Sequence, residues 1–476
     1  MRKTKIVCTI GPASESPEML RKLIRAGMSV ARLNFAHGEP EEHTARIRNI
    51  REAAAAENTY VAVLIDTKGP EIRIGKMEEA FVELVPGELV TLTTEEVLGT
   101  KDRIHVTYKQ LPQDVKPGGI ILIDDGLVRL EVVKAEGTEI TCLIKNGGRL
   151  KPRKGVNVPG VKTSLPGVTE KDIRHIKYGV EQKIDIIAQS FVRKAEDILE
   201  IKHILDELGA GHIQVIAKIE NDEGVENLDA IISVADGIMV ARGDLGVDLP
   251  VEDVPLVQKD MIRRCNLAGK PVITATHMLE SMQQNPRPTR AEAGDVANAV
   301  FDGTDAVMLS GESAAGKYPL ESVETMARIA AKAEGALDSY SWLTLQADRK
   351  THDVTGAIGQ AVAQAALELG AKAILALTES GFTARMIAKH KPKAPVIAVS
   401  SKSSVLHALT VSWGVIPVLR KEQVASTDEA ILAAVELAKA AGHLQDGDLV
   451  VVTAGVPAGA TGTTNLLRIH HVGDAL

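Results

Sequence analysis

Through roughly its first 340 residues this chain repeats one pattern, a short β-branched run followed by an amphipathic helical stretch. The candidate strands are Lys5–Ile10, Ser29–Leu33, Tyr60–Asp66, Ile184–Ser190, Ile213–Glu220, Gly237–Ala241, Pro271–Thr276 and Ala306–Ser310. Between them lie runs such as Ile198, Ile201, Ile204, Leu205 and Leu208, which recur at helical spacing and stop at Gly209. Strands separated by helices are parallel, because a parallel pair needs a long crossover. The alternation breaks once. From Gly69 to Pro166 no strong helix is written; alternating segments and turns such as Pro86-Gly87 and Pro117-Gly118-Gly119 predict a small all-β domain inserted between strands three and four. Residues 1–69 and 169–339 then amount to about 240 residues, the size of a (β/α)8 barrel. The expected domains are that barrel, an insert over 70–168, and a C-terminal α/β domain over 340–476, where five further strand candidates alternate with helices.

Composition narrows the function. A net charge of −8 spread along the chain leaves no basic footprint for nucleic acid. No apolar stretch approaches the ~18 residues needed to cross a bilayer, so no membrane partner is expected. Cys8, Cys142 and Cys265 form neither a CxxC pair nor a zinc spacing, and the N-terminal apolar run is too short for a signal peptide. A cytoplasmic location is expected.

The chemistry-bearing residues gather at predicted strand ends. Lys218 and Glu220 stand two apart, so on a strand they share a face. Asp244 follows the next strand, after Arg242 and Gly243. This mixed-charge cluster suits a divalent metal with an anionic substrate, or an ordinary buried ion pair. The second strand ends Arg32-Leu33-Asn34, with Ala36 and His37 beyond it, and the third ends Asp66-Thr67-Lys68-Gly69-Pro70-Glu71-Ile72-Arg73. Both read as cation and phosphate contacts or as solvated turns. Thr276-His277 ends the seventh strand, and Asn285–Glu292 and Ser310–Ser313 lie near later strand ends as either site or scaffold. In the last domain Thr378, Ser380, Gly381 and Thr383 open a helix, which suits a phosphate or a simple cap. A Gly-rich loop, Thr453–Gly462, could close over the same ligand.

With these residues in view, the chain resembles the pyruvate kinase family, bacterial type, along essentially its whole length. The blocks that carry the likeness are Lys3–Pro12, Asp66–Arg73, Lys154–Gly160, Lys218–Asn221, Met239–Gly246 and Asn285–Glu292. The resemblance implies a phosphotransferase moving the phosphoryl group of phosphoenolpyruvate to ADP. It implies a (β/α)8 domain, a mobile β-barrel lid, a C-terminal effector domain and a homotetramer. Residue by residue, it makes Glu220 and Asp244 the Mg2+ (or Mn2+) ligands and Lys218 the group stabilising the moving phosphoryl. Arg32 would hold the substrate phosphate; Gly243, Asp244 and Thr276 would hold its carboxylate. Asn34, His37, Arg73 and Lys154 would meet the nucleotide, and Asn34, Asp66 and Thr67 would bind K+.

Three positions depart from the family. Ala36 replaces a serine K+ ligand while Glu71 matches K+-dependent members, which predicts a weaker potassium site with water in place of the hydroxyl. His277 stands where glutamine is usual, either adding a titration near neutral pH or substituting neutrally for an amide. Phe382 occupies a position that is basic in some relatives, so a phosphorylated effector is expected without a bisphosphate preference. The chain ends at Leu476, so the further C-terminal domain of some bacterial members is not expected. The competing readings are a Mg2+-dependent lyase or aldolase of pyruvate-like acids on the same barrel, and an impaired scaffold.

Overall fold

Eight short parallel strands close into a barrel in strict chain order: β1 Lys5–Thr9, β2 Val30–Asn34, β3 Ala62–Asp66, β4 Ile186–Gln189, β5 Gln214–Ile219, β6 Gly237–Ala241, β7 Val272–Ala275 and β8 Ala306–Leu309, with β8 returning to β1. The computed structural model describes residues 2–35, 40–339, 342–343, 353–422, 424, 426–456 and 462–475. Period-2 alternation divides each strand between two cores. Val7, Val30, Leu64, Ile186, Ile216, Met239, Ile273 and Met308 fill the barrel interior. Their chain neighbours, including Ile6, Ala31, Val63, Ile187 and Val215, pack outward beneath the helices. The same parity carries upward. Above Ile216 come Lys218 and Glu220, and above Val30 and Leu64 come Arg32 and Asp66. The inward stripes of β2, β3 and β5 are thus apolar low in the barrel and charged at its C-terminal mouth.

Between β3 and β4 the chain builds the insert. Seven strands lie in the order Ile72–Arg73, Gly155–Asn157, Ile120–Ile123, Val128–Glu136, Glu139–Asn146, Leu89–Thr93, Arg103–His105. The sheet curls until its two edges meet at an Ile74–Val106 bridge, which makes it a small barrel around Leu92, Ile121, Leu130 and Ile140. A single helical turn, Leu111–Asp114, interrupts the otherwise all-β insert. Both crossings into the barrel domain meet at Asp172. Its Oδ1 accepts from Gly69 N–H at 3.2 Å, and its Oδ2 accepts from Thr169 N–H at 3.0 Å and Thr169 Oγ1 at 2.6 Å. Gly69 has φ +69°, and a Cβ there would sit 2.8 Å from the Ser190 carbonyl, so only glycine fits this exit.

The C-terminal sheet runs Val415–Leu419, Val396–Ser400, Ala373–Leu377, Leu449–Ala454, Leu466–His471, with the last strand antiparallel. This domain seals the barrel floor. Val411 joins the interior cluster. Lys391 Nζ pairs with Asp305 Oδ1 at 2.9 Å, both side chains almost wholly buried. Lys5 Nζ donates to the Val415 carbonyl at 2.6 Å. All three cysteines are buried, and no helix among the described residues is long and apolar enough to cross a membrane.

Candidate active site

Lys218 is the hub of the barrel mouth. Its Nζ lies 3.0 Å from Asp66 Oδ1, 2.7 Å from Ser190 Oγ and 3.0 Å from Glu220 Oε1. Asp66 is held on its other oxygen by Arg32 Nε at 2.7 Å, and Arg32 Nη1 donates to Thr9 Oγ1. Glu220 Oε2 accepts from Phe191 N–H at 2.6 Å, and Phe191 has φ +56°. Asp244, in the first turn of the helix Arg242–Asp248, lines the same cavity as Glu220.

Three carboxylates face two cations here, and their titration reflects it. Burial works to raise Asp66, but Arg32 and Lys218 outweigh it and hold its pKa low. Burial works to lower Lys218, but Asp66 and Glu220 outweigh it and raise it, so the ammonium stays charged. Glu220 is pushed up by burial beyond what Lys218 offsets, with Asp244 and Asp66 adding repulsion. Asp244 is raised by burial as well. Burial drives both carboxyls toward protonation, and a divalent cation held by the two would keep them ionised. Among the described residues no group of three or more His, Cys, Asp or Glu forms a closed cage. Two carboxylates with the remaining positions open match what Mg2+ prefers beside a phosphate.

Thr276 is held opposite. Its Oγ1 accepts from Gly243 N–H at 2.8 Å and donates to the Ala275 carbonyl at 2.7 Å. Thr276 and His277 both have positive φ, +65° and +53°, a costly conformation for a β-branched residue. Arg242 holds this turn through the Thr276 carbonyl at 2.6 Å and is itself anchored on Asp295 at 2.7 Å. His277 is exposed.

Two adjoining cavities lie between mouth and lid. One, of about 890 Å3, contains Arg32, Asn34, Asp66, Lys218, Glu220 and Asp244. The other, of about 340 Å3, is lined by Lys154, Asp124, Asp125 and Asn221. Glu71, Arg73, Phe191 and Asp244 border both. Arg73 pairs with Glu71 at 2.7 Å and donates to the Arg153 carbonyl; Lys154 pairs with Asp124 at 2.7 Å. The lid residues therefore line the same cleft as the barrel charges. Asn34 faces Asp66 across the β2–β3 register, and the Thr67 carbonyl accepts from Ser190 Oγ at 2.8 Å. His37 and Ala36 lie outside the described residues.

The other motifs divide. Glu292 closes a capping box with Thr289 and binds Ser281 N–H and Oγ. Glu312 accepts from Leu279 and Ser310 N–H. Both are scaffold. Thr378, Ser380 and Thr383 line a small cavity of about 70 Å3 beside Arg420, with Gly381 at φ +78° opening the helix Phe382–Ala388. Glu379 in that loop is paired with Arg420 at 3.3 Å. Gly462 borders this cavity, and residues 457–461 of the Gly-rich loop lie outside the described residues.

A barrel mouth with a fixed lysine and a carboxylate pair, facing an insert that contributes Arg73 and Lys154, suits a phosphotransferase built on a (β/α)8 barrel. Comparison with known proteins narrows this. Residues 1–323 match the family described as "Pyruvate kinase, barrel domain", and residues 356–470 match "Pyruvate kinase, alpha/beta domain". The pyruvate kinase of Geobacillus stearothermophilus is 57% identical over 479 residues, covering 100% of this chain and 81% of that protein. That of Bacillus licheniformis is 55% identical over 478 residues, with the same coverage. A crystal structure of a pyruvate kinase from Cryptosporidium parvum superposes with a TM-score of 0.94 at 41% identity, covering 99% of this chain and 96% of that one. The chain belongs to the pyruvate kinase family.

Proposed function

We propose that this chain moves the phosphoryl group of phosphoenolpyruvate to ADP at the Lys218–Glu220–Asp244 cluster. The observation that carries the reading is the gathering of Asp66, Glu220 and Asp244 about a Lys218 ammonium that stays charged. Glu220 and Asp244 would hold Mg2+ (or Mn2+), which supplies charge neutralisation and a template for the phosphate oxygens. Arg32, fixed on Asp66, would orient the substrate phosphate. Thr276 and the Gly243–Asp244 backbone would hold its carboxylate. As the bond between phosphorus and the enol oxygen breaks, an ADP β-phosphate oxygen bonds to phosphorus. The electron pair stays on the enolate, and a proton then adds at carbon to give pyruvate. Lys218 meets the charge on the transferring group without reorganising, because its partners already fix it. Lys154 and Arg73 would engage the nucleotide when the insert closes about Gly69 and Asp172, excluding water that would otherwise take the phosphoryl group.

The donor set of Asn34, Asp66 and the Thr67 carbonyl is all oxygen at adjacent strand ends, which suits K+. The Thr378–Thr383 loop would take the phosphate of an effector, and a homotetramer and a cytoplasmic setting complete the reading. The relatives reported above all carry the pyruvate kinase name, which favours the kinase over the barrel lyase. Pyruvate formation followed by coupled NADH oxidation tests it. The rate should require both ADP and Mg2+; pyruvate released without ADP would favour the lyase.

A further inference from the structure

Ser190 was not singled out by the sequence pattern, yet it sits at the centre of the mouth. It follows β4 on the inward parity of Ile186 and Ala188, is 3% exposed, and lines the large cavity. Its Oγ is 2.7 Å from Lys218 Nζ, 2.8 Å from the Thr67 carbonyl and 3.1 Å from Asp66 Oδ1. An ammonium carries three donors and no acceptor. In this geometry all three are spent, on Asp66, Glu220 and Ser190. A phosphoryl oxygen arriving at Lys218 must therefore take one of them. Two of the partners are carboxylates, and an ammonium loses more by leaving an anionic acceptor than by leaving a neutral hydroxyl. The Ser190 hydroxyl is the neutral one. It also has one proton and two acceptors in reach, so it can keep a donor bond to Thr67 or Asp66 after losing Lys218.

We infer that Ser190 is a positioning residue, holding the Lys218 ammonium out toward the cavity and yielding that contact to the transferring phosphoryl group. Without its hydroxyl, two carboxylates alone would set the ammonium's place and draw it toward Asp66 and Glu220. A misplacement of this order costs roughly 10–100-fold in rate. The inference rests on the phosphotransfer reading above.

The test uses the full chain with Ser190→Ala and Ser190→Cys. Cysteine fills the serine's space with a poor hydrogen-bonding group, so it separates packing from the hydroxyl. Both variants should lose roughly 10–100-fold in kcat, with the KM for ADP within about twofold of the parent and the melting temperature within a few degrees. If Ser190→Ala fails to fold, the cysteine variant decides alone. A Ser190→Cys enzyme within about twofold of the parent kcat, or losses that only track the unfolded fraction, would overturn the inference. Failure of the functional reading looks different: the parent itself would make no ADP-dependent pyruvate.

Discussion

The barrel holds two buried lysine–aspartate pairs of nearly equal length, one at each end. At the mouth Lys218 meets Asp66 at 3.0 Å; at the floor Lys391 meets Asp305 at 2.9 Å. The surroundings make them opposites. Lys218 has a second carboxylate, Glu220, and its pKa is raised. Lys391 has one carboxylate, burial prevails, and its pKa is lowered. Asp305 is further satisfied by the backbone N–H groups of Val272 and Trp413, and the Trp413 ring lies 5.3 Å from Lys391 Nζ. The floor pair is balanced in charge. The mouth pair shares its lysine with a second carboxylate and borders a large cavity. An ion pair alone therefore says little about chemistry; the charged neighbours and open space around it do.

Several substitutions would sharpen or break this contrast. The largest difference is expected between Lys218→Met and Lys391→Met. The first should lower kcat by at least about 100-fold and cost less stability than the second, because Asp66 keeps its Arg32 partner and Glu220, already raised, can take a proton. The second should cost about 3–5 kcal/mol by stranding Asp305 while folded enzyme keeps its kcat. Urea denaturation and steady-state kinetics on both would show it; equal stability losses would erase the distinction. Val411→Ala, which thins the plug under the barrel, should cost about 1–3 kcal/mol and leave KM values unchanged.

The floor side also carries a pH signature. His390, beside Lys391, is 2% exposed with neither ring nitrogen hydrogen-bonded, and burial lowers its pKa to about 3. Because the folded state resists a proton that the unfolded state accepts near the usual value of 6.5, stability is full above that value. It is lost as pH falls toward 3, at up to about 1.4 kcal/mol per pH unit. His390→Leu should flatten the decline between pH 6.5 and 4.5 in thermal melts; an unchanged slope would count against it. The smallest effect belongs to the mouth. Ala36→Ser should lower the K+ concentration for half-maximal activity several-fold, and an unchanged K+ curve would remove the weakened-site idea.

Much of the frame was legible because two periods write it. The eight strand–helix repeats fixed the barrel, and the two-residue spacing of Lys218 and Glu220 put them on one face before any coordinates. Ser190 obeys the same parity as Ile186 and Ala188, so its inward direction was available but unused. Other features depend on partners distant in sequence. Ile72–Arg73, Gly148–Leu150 and Gly155–Asn157 are strands of two or three residues, too short to show alternation and defined by what they pair with. Asp172 joins the two lid crossings across a hundred residues, and Val411 enters the barrel from another domain. Asp66, read as a potassium ligand by resemblance, anchors both Arg32 and Lys218, a role that no local pattern encodes.

The most direct test follows the phosphorus itself. Phosphorus NMR of phosphoenolpyruvate, ADP, Mg2+ and the protein should show the substrate resonance decay as the γ-phosphate of ATP grows in equal measure, with both changes abolished in Lys218→Met. Phosphorus appearing as inorganic phosphate, or turnover that persists without ADP, would contradict the assignment of this mouth to phosphoryl transfer.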